Sequence, residues 1–157
     1  MAAKACRLVC VGKMKIPFLR EGAEHYAGRI GHWRRLVTTE VRDGDAALSP
    51  VKRSGQECER ILQALEPQDL PIALDGRGES LTSPQLAKFL DECDRNAPGR
   101  PCFIIGGPYG LTDAVRAKAW RMLSLSAMTL PHELARLFLL EQLYRAECIL
   151  HRVPYHH

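Results

Sequence analysis

No two cysteines stand in a C-x-x-C pair, so the six present, at positions 6, 10, 58, 93, 102 and 148, lack the spacing of a structural zinc site. Most lie inside apolar runs such as Arg7-Leu8-Val9-Cys10-Val11 and Cys102-Phe103-Ile104-Ile105, which reads as buried free thiols in a reducing compartment. Long apolar runs are missing too. The longest candidate, Leu134 to Leu150, is broken by Arg136, Glu141, Arg145 and Glu147, and this excludes a membrane span. Behind Lys4 and Arg7, the stretch Leu8 to Val11 is too short for the apolar core of a signal peptide. The expectation is a cytoplasmic protein with no membrane and no metal. Charge of one sign does not dominate: 22 Lys plus Arg against 18 Asp plus Glu leave +4. That balance is compatible with an RNA partner, but a chain that grips phosphates unaided usually concentrates more positive charge. Internal repeats, linkers and low-complexity tracts are also absent, so residues 1–157 read as one domain.

What is present is an alternation of short apolar runs with segments of helical period. Ala5–Val11 reads as a strand, then Gly12-Lys13 and a helix from about Pro17 to His32. Val37–Val41 reads as a second strand, and a loop from Asp43 to Ser49 leads to Pro50, placed for the first turn of a helix to about Leu65. Pro71–Leu74 is a buried strand ending at Asp75-Gly76, and Thr82 with Gln85 forms a capping-box pattern opening a helix to about Asn96. Cys102–Ile105 is the most strand-like run in the chain. A helix over roughly Asp113–Trp120, a short strand near Met122–Leu125 and a long helix from Pro131 to about Leu150 complete the reading. Such alternation indicates an α/β fold with a mostly parallel sheet flanked by helices on both faces.

In open parallel sheets, ligands bind beyond the carboxyl ends of the strands. Three loops stand at such ends: Leu74-Asp75-Gly76, Gly106-Gly107-Pro108-Tyr109-Gly110, and the run from Ser124 to His132. The glycine loop allows positive φ and close backbone approach to a ligand, or makes a tight strand-to-helix connection with no ligand at all. It is not G-x-G-x-x-G, and no Lys-Ser or Lys-Thr follows it, so dinucleotide and P-loop fingerprints are both missing. The small, hydroxyl-bearing and apolar run Ser124 to Pro131 has the composition to wrap an adenine without charge, or to be a plain strand and turn.

The strings Ile105-Gly106-Gly107-Pro108-Tyr109-Gly110-Leu111, Leu123-Ser124-Leu125-Ser126-Ala127-Met128-Thr129-Leu130-Pro131-His132 and Glu141-Gln142-Leu143-Tyr144-Arg145-Ala146, with the terminal Pro154-Tyr155-His156, occur in this order. Together they closely resemble the SPOUT methyltransferases, in particular those that act on 23S ribosomal RNA. The opening Leu8-Val9-Cys10-Val11-Gly12-Lys13 and the strand end Leu74-Asp75 fit as well, so the likeness spans essentially the whole chain. The resemblance implies a C-terminal trefoil knot, an exception to the rule against threaded loops, with S-adenosyl-L-methionine bound in the knot and a homodimer formed through its helices. It implies N3-methylation of a pseudouridine in the large-subunit stem-loop at the subunit interface, acting on 23S rRNA within the assembled ribosome. Carried over position by position, Leu74, Gly106, Gly107, Ser124, Leu125, Ser126, Ala127, Met128, Thr129, Leu130 and Pro131 would line the methyl-donor site. Tyr109 departs from the pattern, since relatives often carry an acidic residue there.

Methyl transfer to a ring nitrogen needs positioning and a destination for the imide proton. His132, after the cofactor loop, and His156, in the tail beside Tyr155, carry imidazoles suited to that task, with a first-turn helix residue without chemistry as the alternative for His132. Arg145 shares a helix face with Glu141; it either pairs with it or steadies a phosphate or imide oxygen. A frayed terminus is the default for such a tail, but Tyr155 and His156 can stack on a splayed base and bond its edge, and the resemblance favours that role. The last helix is apolar on more than one face (Leu134, Leu137, Phe138, Leu140, Leu143, Tyr144, Ile149), which favours a homodimer in which the tail of one subunit completes the site of the other. Arg29, His32, Arg34, Arg35, Lys52 and Arg53 are candidates for RNA phosphate contact, with a solvated face as the alternative.

Overall fold

The computed structural model describes residues 2–155. Along the chain run β1 (Cys6–Val11), α1 (Pro17–Ile30), β2 (Leu36–Val41), α2 (Pro50–Ala64), β3 (Asp69–Ser80), α3 (Ser83–Asn96), β4 (Arg100–Ile105), α4 (Asp113–Lys118), β5 (Arg121–Ser124) and α5 (His132–Leu150). The five strands form one sheet in the order β2-β1-β4-β3-β5, and every pairing is parallel. This is the α/β arrangement expected from the alternation.

Period-two alternation along the inner strands divides the core in two. Cys6, Leu8 and Cys10 of β1, Ile72 of β3, and Phe103 and Ile105 of β4 point to the face covered by α1, α3 and α5. Val9, Val11, Ala73, Cys102 and Ile104 point to the face covered by α2 and α4, where they meet Cys58, Ile61 and Val115. All six cysteines are buried and free. Burial pushes the thiol of Cys93 up to about 11 and those of Cys10 and Cys102 up to about 12, and drives Cys6 higher still.

Local signals place the helices. Proline stands in the first turn of α1, α2 and α3. At α3 both halves of the capping box form: Gln85 N–H donates to Thr82 Oγ1 (3.2 Å) and Thr82 N–H donates to Gln85 Oε1 (2.8 Å). No residue of α1 caps its own start. Glu133, buried in the first turn of α5, accepts from Lys15 N–H (2.7 Å) and Ile16 N–H (3.1 Å) instead.

Several boundaries differ from the sequence reading. Strand β3 does not end at Asp75-Gly76. It bulges outward there and resumes, so that Leu74 and Glu79 both face Leu123 of β5. Gly78 re-enters so tightly that an added Cβ would lie 2.6 Å from backbone atoms of Met122 and Leu123. The α1 helix stops at Ile30 rather than His32, because Gly31 to Arg34 turn back on the carbonyls of Ala27, Arg29 and Ile30. The α4 helix stops at Lys118 because Trp120 N–H is already committed to Pro71 O of the sheet (2.7 Å). Arg34, a candidate phosphate contact, is buried and unavailable to RNA. It donates to Glu147 (2.5 Å) and, through both terminal nitrogens, to Asp94 (2.8 Å each).

Among the described residues no helix is long and apolar enough to cross a membrane, and no group of three or more His, Cys, Asp or Glu is arranged to hold a metal ion.

Candidate functional site

Parallel strands deliver their carboxyl ends to one edge of the sheet. At the ends of β3, β4 and β5 lies a cavity of about 700 Å³, within the range of small-molecule and cofactor pockets. β3 contributes Leu74 and Asp75. The turn after β4 contributes Gly106 and Gly107. The link from β5 to α5 contributes Ser124, Leu125, Ser126, Ala127, Met128, Thr129, Leu130 and Pro131, and α5 adds His132 and Ala135. All eleven positions that the resemblance assigned to cofactor binding therefore stand on the wall of one cavity, and His132 stands with them.

The glycine loop closes on itself through Gly110 N–H to Gly107 O (3.0 Å), with Gly110 in the left-handed region at φ +80°. The reason for the first two glycines lies inside the protein. A Cβ on Gly106 would stand 2.9 Å from Gly110 C and Leu111 Cδ2, and one on Gly107 would stand 2.5 Å from Glu57 Oε1. Helix α2 cradles this loop from the side away from α5. Ser54 Oγ donates to Gly110 O (3.1 Å), and Cys58 Sγ accepts from Thr112 N–H (3.4 Å).

The link Ser124 to Pro131 is held in shape by its own hydroxyls. Ser124 Oγ donates to Ser126 O (3.1 Å), and Ser126 Oγ accepts from Met128 N–H (3.0 Å). No hydrogen bond within the described residues takes up the backbone N–H of Ala127, Thr129 or Leu130. The wall thus offers apolar side chains and backbone donors together, the combination that recognises a purine without charge.

Asp75 lines the cavity and is tethered by Arg116 (3.0 Å), which also bonds Asp113 (2.7 Å) and Leu111 O (2.6 Å). Ala135 was missed by the sequence reading; its signal is the spacing of three residues from His132 on one helix face.

Arg145 and Tyr155 do not join His132. Arg145 lies thirteen positions along the helix from His132, about 20 Å at 1.5 Å per residue. There Glu141 accepts from Arg145 (2.6 Å) and from the Tyr155 hydroxyl (2.9 Å), and the Arg145 guanidinium lies 4.7 Å from the centre of the Tyr155 ring. Tyr155 packs edge-on against Tyr144, which stacks with Trp33, which stacks with His151. Burial, joined by hydrogen bonds with Tyr26 and Glu141, pushes the Tyr155 phenol well above its usual value and keeps it a proton donor. His156 lies outside the described residues. Arg29, His32, Arg35 and Lys52 are exposed and Arg53 is half-buried, so five of the six proposed phosphate contacts reach solvent. On α5, Leu140, Leu143 and Tyr144 are buried, while Leu134, Leu137, Phe138 and Ile149 are only half covered.

A family model described as "Predicted SPOUT methyltransferase" matches residues 5–156. Proteins named "Ribosomal RNA large subunit methyltransferase H" are similar over nearly the full length of both chains. The one from Desulfovibrio desulfuricans is 58% identical and covers 100% of each chain. The one from Nitratidesulfovibrio vulgaris is 53% identical, covering 98% of this chain and 99% of its own. That from Lawsonia intracellularis is 49% identical with 100% coverage of both. Among solved structures, a probable methyltransferase from Bordetella pertussis superposes with a TM-score of 0.53 at 16% identity, over 92% of this chain and 94% of its own, a likeness of fold.

Proposed function

The chain belongs to the SPOUT methyltransferase family, and on that premise we propose that it transfers a methyl group from S-adenosyl-L-methionine to N3 of a pseudouridine in 23S ribosomal RNA, acting as a homodimer on assembled ribosomes. The observation that carries this reading is the single cavity at the ends of β3, β4 and β5, which gathers the donor-site segments and His132. Its volume, its unclaimed backbone donors and its uncharged lining between Ser124 and Pro131 fit an adenosyl group. The bound donor supplies an electrophilic methyl on a sulfonium. In the same reading the C-terminal part of the chain follows the family's trefoil knot.

The protein's own task is to aim and to deprotonate. Leu74 and the glycine loop would hold the donor from one side, and the link from Ser124 to Pro131 from the other. His132, in the first turn of α5 and on the cavity wall, is the proposed acceptor of the imide proton. Arg145, far along α5, and Tyr155, in the tail beyond it and bonded to Glu141, do not line the cavity of their own subunit. An antiparallel pairing of α5 with its copy would cover the half-buried Leu134, Leu137 and Phe138 and bring the tail of one subunit to the cavity of the other. There Tyr155, kept protonated, can stack on the target base and donate to it; Arg145 fixes Tyr155 through Glu141 and its ring; and His156 is the second candidate base. The exposed Arg29, His32, Arg35 and Lys52 are proposed to meet RNA phosphates.

The test is genetic and chemical. Ribosomal RNA from cells lacking this protein should contain no N3-methylated pseudouridine in the large subunit by mass spectrometry, and the intact gene should restore it. Unchanged modification in its absence would remove the proposed substrate.

A further inference from the structure

Beneath the glycine loop lies a group that methyl-donor binding as described does not use. Glu57, on the inner face of α2, is completely buried. Its Oε2 accepts from Gly44 N–H (2.9 Å) and stands 3.6 Å from Arg53 Nε. Its Oε1 has no hydrogen-bond partner among the described residues, and it points at Gly107, where an added Cβ would meet it at 2.5 Å. Gly107 lines the cavity. A single glycine thus partitions an unpaired carboxylate oxygen from the ligand space, and glycine is the one residue that leaves no side chain between them.

An uncompensated buried carboxylate oxygen is costly and persists where something makes use of it. The neighbouring cation, Arg53, pairs with Oε2 and not with Oε1: its Nε lies 3.6 Å from Oε2 without a hydrogen bond, and its guanidinium lies 5.8 Å from the centroid of the Tyr109 ring. Ser54 and Cys58, which flank Glu57 on the same helix face, are occupied with Gly110 and Thr112 of the loop and bring no charge. Of the two charged groups in this cluster, the Glu57 carboxylate is the one that reaches Gly107.

Resting on the methyl-donor reading above, we propose that Glu57 supplies a negative potential through Gly107 that makes the cavity prefer the cationic sulfonium donor over S-adenosylhomocysteine, whose sulfur is uncharged. The transfer itself turns sulfonium into thioether, so the same charge that holds the donor ceases to hold the product and favours its release. Glu57 touches neither ligand; it is a specificity-setting residue acting across the loop.

Equilibrium binding of S-adenosylmethionine and S-adenosylhomocysteine to the purified full chain tests this without any turnover. Glu57→Gln keeps the shape and the Gly44 hydrogen bond while removing the charge. It should weaken donor binding on the order of tenfold, the size unit charges roughly 10 Å apart produce at an effective dielectric near 20, and leave product binding nearly unchanged. Arg53→Met should raise the donor-to-product ratio instead. Equal weakening of both ligands in Glu57→Gln, or no change in either, would show a packing strut and overturn the proposal. Should Glu57→Gln fail to fold, Arg53→Met decides alone: an increased ratio supports the proposal and an unchanged ratio overturns it. Failure of the unaltered chain to bind either ligand would overturn the methyl-donor reading itself, and this proposal with it.

Discussion

Replacing Arg34 with methionine should cost far more than losing a surface cation. Arg34 joins three elements: its Nε donates to Glu147 of α5 (2.5 Å), its terminal nitrogens both donate to Asp94 of α3, and Nη1 also reaches Lys4 O ahead of β1 (2.9 Å). The three charged side chains are 2%, 10% and 1% exposed. Burial alone would lower the Arg34 pKa, but the hydrogen bonds to Asp94 and Glu147 outweigh it and hold the guanidinium charged. Methionine fills similar space yet removes the cation shared by the buried Glu147 and the half-buried Asp94, which keeps only its bond from Lys4 N–H (2.9 Å), a loss of about 3–5 kcal/mol from a total of roughly 5–15 kcal/mol. At about 2–4 °C per kcal/mol for a chain of this size, the melting temperature should drop by roughly 10 °C. Urea titration at fixed protein concentration is the assay, because the stability of the proposed dimer would depend on concentration. The midpoint should fall by about 2 M at an m-value near 2 kcal/mol/M. Arg34→Lys should recover only part of the loss, since an ammonium cannot reproduce the fork to Asp94. Arg35→Ala, the exposed neighbour, should stay within about 0.5 kcal/mol of the unaltered protein. A loss below about 1 kcal/mol for Arg34→Met would refute the buried-strut reasoning.

The carboxylates give a pH dependence of known sign. Burial by itself would raise Asp69 and Asp94, but hydrogen bonds from Arg100 and Arg7 to the first, and from Arg34 to the second, hold both below the ordinary 3.8. Their stabilisation is therefore complete above that value and lost as pH falls through the lower folded one. The urea midpoint should be flat with respect to these groups between about pH 5 and 7 and fall below about pH 4, with a shallower acid limb in Asp94→Asn. The buried thiols, with Cys10, Cys93 and Cys102 raised to about 11 to 12, should resist iodoacetamide at pH 8 in the folded protein, and mass spectrometry should find all six alkylated only in denaturant. For the shared site, subunits altered at Gly107 and subunits lacking the tail from Val153 onward should each be inactive. Mixed together they should regain methyl transfer, and hybrids with no activity would argue against a tail that serves the other subunit.

Much of the fold could be read because its determinants are local. Pro50 and the Thr82–Gln85 pair announce their helices within one turn, and the apolar run Cys102–Ile105 marks a strand covered on both faces. The cavity at the strand ends was legible through string likeness, since its walls come from three contiguous segments. What failed were features set by partners far away in sequence. Asp75-Gly76 reads as a strand end, yet pairing with β5 carries β3 on to Ser80. Arg34 sits among exposed basic residues in sequence and finds its partners 60 and 113 residues away. Glu57 left one local trace: with Ser54, Cys58 and Ile61 it falls on the buried stripe of α2, a charged residue at an apolar position. Glu133, likewise buried in a helix, left the cap of α1 unforeseen.

The most direct test of the central claim is transfer of a labelled methyl group from S-adenosyl-L-methionine to ribosomes, separated subunits and naked RNA, all prepared from cells lacking this protein, with the modified nucleotide mapped by mass spectrometry. The account predicts label at N3 of a pseudouridine in large-subunit RNA, strongest in assembled ribosomes. Label on transfer RNA, or none on any RNA despite donor binding, would contradict it.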